Sequence, residues 1–483
     1  MCRLRFIIMR LLKVKSIDHF LFVATTLASA GIHFIYSIII KAYVMPLEFG
    51  MYSTCMILQT YLSYLQLGSL NAFNRDYPQL IGARKYEEAQ TYRITVFSFL
   101  LLVYLLAIFI CSIIFIIIGT FDFIDKRILF GFMIVTVITG LMMIENFGNY
   151  RCRIDNGFMI PSIITLFELL SIPIGLILLS KIGYYALYIT SLASVTIGIV
   201  LYYRISYNDL KFSVNFGGLR TILLSGFPLL INSLIWTVVN SIDKFVILGF
   251  INTEALGIYG IAQNAFSYMV LIPSAMSQLF YVKIGKFFGE TKDQEKLILI
   301  SNRYSTILSA ITSFIAIIAF YMLPFMVNKF MPNYNEGILS SQILILGLTI
   351  YSATLINGNV LTILKKNKAL LLNSLLVCVC NIVCSIFLVC VIGSKIESVA
   401  IGTAVSYILC ALILIVQVNK YVNNNCIELL KSSVFPIIFT IIPSAIFYNF
   451  IANKIIGLTV SILLFVLVYK FFIGKILKFE DNS

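Results

Sequence analysis

The stretch SLIWTVVNSIDKFVILGFINTEALGIYG, from Ser233 to Gly260, decides the fold class. Its first part is apolar enough to lie in lipid, yet it carries Asn240, Asp243 and Lys244 before a short turn, Asn252 to Ala255. Each ionisable group at membrane depth costs roughly 2.5 to 3.5 kcal/mol on insertion scales, so it faces a partner or a wet cavity rather than lipid. The stretch therefore reads as a membrane helix that serves something polar.

An earlier copy lies 207 residues upstream. Gly257 maps onto Gly50, Tyr259 onto Tyr52, Tyr268 onto Tyr61, Gly289 onto Gly82, Lys292 onto Lys85 and Glu295 onto Glu88. Phe227, Leu234 and Ile247 fall on Phe20, Leu27 and Ile40. A second echo, at an offset of 210 that loop-length differences explain, sets Gly148-Asn149 against Gly358-Asn359. One constant offset implies duplicated halves, and in transporters such halves enclose a central binding site.

Composition sets the class. The 483 residues are 60% hydrophobic and 12% charged, with a mean hydropathy of +0.99, far above a soluble average. At about 20 apolar residues per spanning helix, fourteen segments qualify: 17–40, 51–72, 94–118, 128–150, 158–180, 184–203, 223–250, 258–280, 304–326, 338–362, 370–392, 399–418, 434–452 and 455–473. The expected fold is an all-α polytopic membrane protein with two pseudo-symmetric six-helix bundles and two accessory C-terminal helices. The expected divisions are a basic leader (1–16), an N-terminal lobe (17–203), a linker (204–222), a C-terminal lobe (223–418) and an accessory pair with a tail (419–483).

With the N-terminus inside, 27 of the 35 Lys and Arg fall on the cytoplasmic side and 7 in outer loops. This bias orients the chain with both termini cytoplasmic. It also explains the net charge of +14 through orientation and contact with anionic membrane lipids, so no nucleic-acid partner is inferred. Ser29-Ala30-Gly31 resembles a signal cleavage site, but removal of the first span would leave one half incomplete. Cys378, Cys380, Cys384, Cys390 and Cys410 lack companions at ligand spacing and read as small apolar residues.

Polar stripes mark candidate cavity walls. Thr26, Ser29, His33 and Ser37 share one face of the first span, as Ser233, Thr237, Asn240 and Lys244 do in the seventh. The offset pairs His33 with Asn240 and Ser37 with Lys244. Packing of hydroxyls between helices is the alternative. The second span adds Gln59, Ser63 and Gln66, and the eighth adds Gln263, Ser267, Ser274 and Gln278, with Pro273 expected to distort it. The connections 73–93 and 281–303 read as amphipathic surface helices. Asp243, rotated about 100° from Lys244 on an ideal helix, is expected to meet a neighbouring helix while Lys244 faces the cavity. Glu145 and Glu168 are further membrane carboxylates, with coupling or structural charge as their two readings.

No soluble segment exceeds about 25 residues, too short for an ordinary catalytic domain. The chain lacks a phosphate-cradling glycine loop and an HExxH pair, and its only histidines are His19 and His33. An enzyme is not expected, nor is a metal or organic cofactor. The coupling ion, if one is used, would be H+ or Na+.

Pro46-x-x-Phe49-Gly50-x-Tyr52, Leu67-Gly68, Arg75-Asp76-x-Pro78, Asn240-x-x-Asp243-Lys244-x-x-Ile247-Leu248-Gly249 and Leu256-Gly257-x-Tyr259 resemble the polysaccharide-transporter family. That family belongs to the multidrug/oligosaccharidyl-lipid/polysaccharide flippase superfamily and includes O-antigen and capsule repeat-unit flippases. The resemblance covers residues 17–420. It implies two helical bundles that move a polyprenyl-diphosphate-linked oligosaccharide across the cytoplasmic (inner) membrane by alternating access, alongside other polysaccharide assembly proteins. In that setting Lys244, Arg75, Arg151 and Arg153 would attract the diphosphate, with His33, Asn240, Ser37, Gln66 and Gln263 toward the sugar. The first span lacks the arginines usual in lipid II flippases. Asp243, Glu145 and Glu168 keep a cation-coupled multidrug antiporter open as an alternative, and a membrane-embedded polymerase is the third reading.

Overall fold

The structure, a computed structural model, describes residues 15–120, 125–207, 212–213, 216–291, 293–422 and 426–480. Most of the expected basic leader, with Arg3, Arg5, Arg10 and Lys13, lies outside the described residues, as does Lys292. Every regular element among the described residues is helical. The chain divides into two compact units, Met1–Leu234 and Ile235–Ser483.

Unit 1 opens with α1 (Lys15–Tyr43) and α2 (Pro46–Leu62), the latter starting on a proline whose missing N–H suits a first helical turn. A single 3-10 turn, Ser63–Gln66, leads into α3 (Ser69–Gly82). Then follow α4 (Tyr86–Thr120), α5 (Lys126–Asn156), α6 (Met159–Glu168), α7 (Ser171–Ile182) and α8 (Tyr185–Tyr202). Helix α9 (Phe216–Val239) crosses from one unit into the next, and α10 (Ile242–Phe250) restarts after a two-residue break. Unit 2 continues with α11 (Thr253–Thr291), α12 (Gln294–Phe330), α13 (Gly337–Ala353), α14 (Leu355–Ile363), α15 (Asn367–Ile392) and α16 (Ile396–Val422). Helices α17 (Cys426–Ser433), α18 (Phe435–Phe450) and α19 (Lys454–Glu480) close the chain.

Twelve described helices are long and apolar enough to cross a membrane, and the bent pair α17–α18, meeting at 47°, makes a thirteenth. The second of the fourteen spans read from sequence is broken, so that α2, with 17 residues, falls short alone. Leu67 (φ 49°) and Gly68 (φ 84°) make that break. A Cβ on Gly68 would lie 2.5 Å from the Gly226 carbonyl carbon, so the break and α9 touch backbone to backbone inside unit 1. Only glycines permit that approach. Tyr64, in the 3-10 turn, donates to the Ser233 carbonyl at 3.0 Å and ties the same two segments.

Two local expectations change. Pro273 lies inside an uninterrupted 39-residue α11; side chains or neighbouring helices re-satisfy the carbonyl a proline frees in a membrane helix. The connection 281–303 is no separate surface helix, because α11 and α12 extend into it. Asp293 caps α12 by accepting from the Glu295 and Lys296 amides.

Apolar residues facing outward along α4, among them Leu105, Phe109 and Ile116, leave a face suited to lipid. Helices α18 and α19 are fastened to α12: the Tyr321 hydroxyl reaches the Ser444 carbonyl and Ser461, and Ser313 pairs with Tyr469 at 2.9 Å.

Candidate functional site

The α9–α10 break builds the site in unit 2. At its start the Asn240 amide still bonds to the Trp236 carbonyl at 3.0 Å, but the Ser241 amide reaches only to Val238. The Ser241 hydroxyl folds back on the Thr237 carbonyl at 2.7 Å, an i−4 bond of the kind that bends helices. The chain restarts at Ile242 with Asp243 in the first turn, where the helix dipole favours an anion.

Beside the break lies a cavity of about 320 Å3. Asn240, Asp243 and Lys244 form one wall, and Gln263, Asn264, Phe266 and Ser267 of α11 form another. Leu344 of α13 and Thr403 and Tyr407 of α16 complete it. Asp243 is 8% exposed, and its Oδ2 accepts from the Tyr259 hydroxyl at 2.9 Å. Lys244 feels the Asp243 charge without closing an ion pair to it. Asp243 and Lys244, consecutive on α10 and so about 100° apart around it, both border the cavity. Asn240 Oδ1 accepts from the Tyr407 hydroxyl at 3.0 Å, and the Phe266 and Tyr407 rings stand 5.6 Å apart.

Of the candidates read from sequence, Lys244, Asn240, Asp243, Gln263 and Ser267 are brought together here. Asn264, Phe266, Thr403 and Tyr407 join them without having been singled out. Nothing in the sequence marks Tyr407, 167 residues from the Asn240 it holds. Tyr259 had a signal, since it belongs to the 207-residue repeat.

The other candidates lie in unit 1, at separate places. His33 is exposed on α1 and Ser37 half-buried one turn on. Gln66 is turned inward: its Oε1 accepts from the Leu70 amide at 2.7 Å and so caps α3. Arg75 grips Asp76 through two bonds, 2.6 and 3.0 Å, and the first of these chiefly holds the Asp76 carboxyl below the usual carboxylate range. Tyr92 and Ser225 donate to the same carboxylate at 3.2 and 3.3 Å. Arg151 is buried and reaches Asp155 at 3.3 Å, where the Tyr77 hydroxyl also donates. Arg153 lies over the rings of Phe22 and Tyr150, at 5.5 and 5.9 Å.

Glu145 and Glu168 stand on α5 and α6 yet converge on α8. A Cβ on Gly198 would meet Glu145 Oε1 at 2.6 Å and Glu168 Oε1 at 2.7 Å. Their separation in sequence concealed this meeting.

The family model described as polysaccharide biosynthesis protein matches residues 43–333. No curated protein matches the chain by sequence. Among solved structures the chain is similar to a multidrug resistance MATE family transporter of the MOP superfamily in its inward-facing conformation, with a TM-score of 0.69 at 13% identity, covering 80% of this chain and 94% of that one. It is similar to the lipid II flippase MurJ, inward closed, with a TM-score of 0.67 at 18% identity over 96% and 99% of the two chains. A mutant of the Vibrio cholerae MATE transporter VcmN gives 0.58 at 15% identity over 87% and 99%. These likenesses establish the fold, and with it a multi-pass membrane protein.

Proposed function

The chain belongs to the polysaccharide biosynthesis protein family and has the fold of MOP superfamily transporters, and from that premise we propose that it is a flippase for polyprenyl-diphosphate-linked oligosaccharide repeat units. It acts in the cytoplasmic membrane, with both termini cytoplasmic, in the assembly of an O-antigen or capsule. The observation that carries this reading is the unit 2 cavity. A space walled by three amides, three hydroxyls and an Asp–Lys pair, among helices suited to lipid, gives a polar headgroup the hydrogen bonds that hydrocarbon withholds. The lipid tail stays in the bilayer while the head crosses.

Two six-helix lobes joined by the 204–222 linker would alternate access. Asp243 or the Glu145–Glu168 pair would hold H+ or Na+ where transport is coupled. Arg75 and Arg153 are the cations left for the diphosphate.

Deletion of the gene should leave polyprenyl-linked oligosaccharide on the inner leaflet, measured by whether an impermeant reagent reaches its sugar in right-side-out and inverted vesicles. A deletion strain with normal surface polysaccharide and no such intermediate would refute the proposal. The likeness to multidrug transporters supports a second reading, cation-coupled drug export. That reading expects the deletion strain to become drug-sensitive with its polysaccharide unchanged.

A further inference from the structure

We propose that the cavity of unit 2 is a subsite for one uncharged sugar residue and that the diphosphate does not enter it. The inference rests on the flippase reading for the source of the sugar, and on the cavity itself for the chemistry.

Charge comes first. Lys244 is the one cation among the lining residues and Asp243 the one anion, adjacent on α10. The pair sums to zero, and Asp243 is the more deeply buried of the two. A diphosphate entering this space would leave its own hydration to face a carboxylate at short range, and a lone lysine already under the influence of that carboxylate does not offset both costs. An uncharged ring meets no such opposition.

Hydrogen bonding points the same way. A sugar hydroxyl donates once and accepts twice, so it suits walls that mix donors with acceptors. The amides of Gln263 and Asn264 are of the kind that carries both, Asn240 adds its NH2, and Asp243 accepts. The Gln263 Nε2 is buried with no hydrogen-bond partner among the described residues, although Gln263 borders the cavity. An atom so enclosed can meet a ligand in the cavity only once the Gln263 side chain turns toward it. Asn240 is oriented by Tyr407, which takes up its oxygen and leaves its NH2 to donate.

Shape agrees. Phe266 and Tyr407, tilted at 46° with centroids 5.6 Å apart, give the cavity aromatic surface against which the C–H face of a sugar ring can lie while its hydroxyls reach the amides. About 320 Å3 is near the lower end of small-ligand pockets, roughly 300 to 1,000 Å3. That is room for one sugar ring, not for a repeat unit with its diphosphate.

The chain supplies its own reporter. Its single tryptophan, Trp236, stands one turn before Asn240 and is bonded to it through the backbone. Purified full-length protein in detergent is titrated with maltotriose, with chitotriose and with sodium pyrophosphate, following Trp236 emission. At least one saccharide should give a saturable change whose midpoint does not move with salt, since no net charge is involved. Pyrophosphate should give none. Gln263→Met and Phe266→Leu, which keep volume while removing the amide or the flat ring, should each weaken saccharide binding by about tenfold. Unchanged thermal unfolding shows that those variants are folded.

Three results overturn the proposal: saturable pyrophosphate binding that weakens as salt rises, saccharide binding untouched by both variants, or no response to either saccharide. The gene deletion separates this inference from the one beneath it. Inner-leaflet accumulation without saccharide binding sinks the subsite alone, whereas saccharide binding without accumulation sinks the flippase reading alone.

Discussion

Positions 207 residues apart in the two units share sequence but not helix breaks. In unit 1, α1 runs unbroken from Lys15 to Tyr43, whereas the matching part of unit 2 stops at Val239 and restarts at Ile242. The second span reverses this: unit 1 breaks it at Ser63–Gly68, while unit 2 carries α11 without interruption from Thr253 to Thr291. The residues that differ across the offset account for it. Gly68, which enters the left-handed region, stands opposite Ala275, which cannot do so cheaply. Asn240, Asp243 and Lys244 stand opposite His33, Tyr36 and Ser37. The charged cavity wall thus has an uncharged counterpart, in which Tyr36 simply donates to Thr190 at 3.0 Å. The common residues supply the frame, and the differing ones decide where a helix opens to make a site.

The largest effect that tests this comparison belongs to the unit 1 break. Gly226→Ala would place a methyl 2.1 Å from the Gly68 carbonyl oxygen, and Gly68→Ala would add a strained φ to a 2.5 Å backbone clash. Each should cost about 3 kcal/mol or more from overpacking, with left-handed strain added at position 68 alone. The reverse change in unit 2, Ala275→Gly, should cost only about 1 kcal/mol as a helix-interior glycine. Thermal unfolding in detergent measures all three. Equal losses at 68 and 275 would show that the two second spans are not built differently.

A second contrast concerns helix contacts. Gly402→Ala would drive a Cβ to 2.7 Å from the backbone of Ser385, which cannot move alone, whereas Gly198→Ala would meet only the carboxyl ends of Glu145 and Glu168. We expect roughly 2 to 3 kcal/mol of destabilisation at 402 and about 1 kcal/mol at 198, where flexible side chains can yield. A larger loss at 198 would mean that the two glutamates are held rigidly.

The sequence was most informative where physics is local. Hydropathy found the spans apart from the second, which is broken at Ser63–Gly68, and the cost of a membrane charge drew attention to Asp243 and Lys244. The 207 offset flagged Tyr259, which meets Asp243. What stayed hidden depends on distant partners. The break at Asn240 has neither Gly nor Pro at its centre; the Ser241 hydroxyl bonds back to the Thr237 carbonyl beside it. Pro273, a conspicuous breaker, breaks nothing. Thr403 and Tyr407 form a cavity wall through folding alone, and Glu145 and Glu168 look like separate charges until α8 brings them to one glycine. Gln66 reads as a polar cavity residue because capping by a glutamine oxygen leaves no periodic mark.

The third contrast tests whether Asp243 depends on its partner. Tyr259→Phe removes the hydroxyl that the buried carboxylate accepts from and should lower stability by about 1 to 3 kcal/mol, the range for a buried acceptor left unsatisfied. Its counterpart Tyr52 meets Tyr188 at 5.2 Å, a ring contact that phenylalanine preserves, and its hydroxyl meets the neutral Ser191 rather than a carboxylate. Tyr52→Phe should therefore cost less than about 1 kcal/mol, and equal losses would show that the Asp243 bond contributes little.

The smallest effect separates two arginines that the sequence presents alike. Arg151 is 6% exposed and shares Asp155 with Tyr77; Arg75 pairs with Asp76 at a side-chain exposure of 44%. Arg151→Gln leaves a partly buried carboxylate without its cation and should destabilise by about 1 to 2 kcal/mol, less than for a fully buried pair because Asp155 retains some contact with solvent. Arg75→Gln should change stability by no more than about 0.5 kcal/mol, because exposed pairs are screened. Export per molecule should follow the opposite order. An exposed guanidinium has room to exchange one carboxylate oxygen for a diphosphate oxygen, so Arg75→Gln should reduce surface polysaccharide while its membrane level stays normal. With Arg151→Gln, export should fall only as far as the amount of protein falls. Surface polysaccharide normalised to protein level in the membrane decides the matter. Full normalised export from Arg75→Gln would return Arg75 to the role of a topology anchor, and a normalised defect confined to Arg151 would assign the anionic contact to the buried arginine instead.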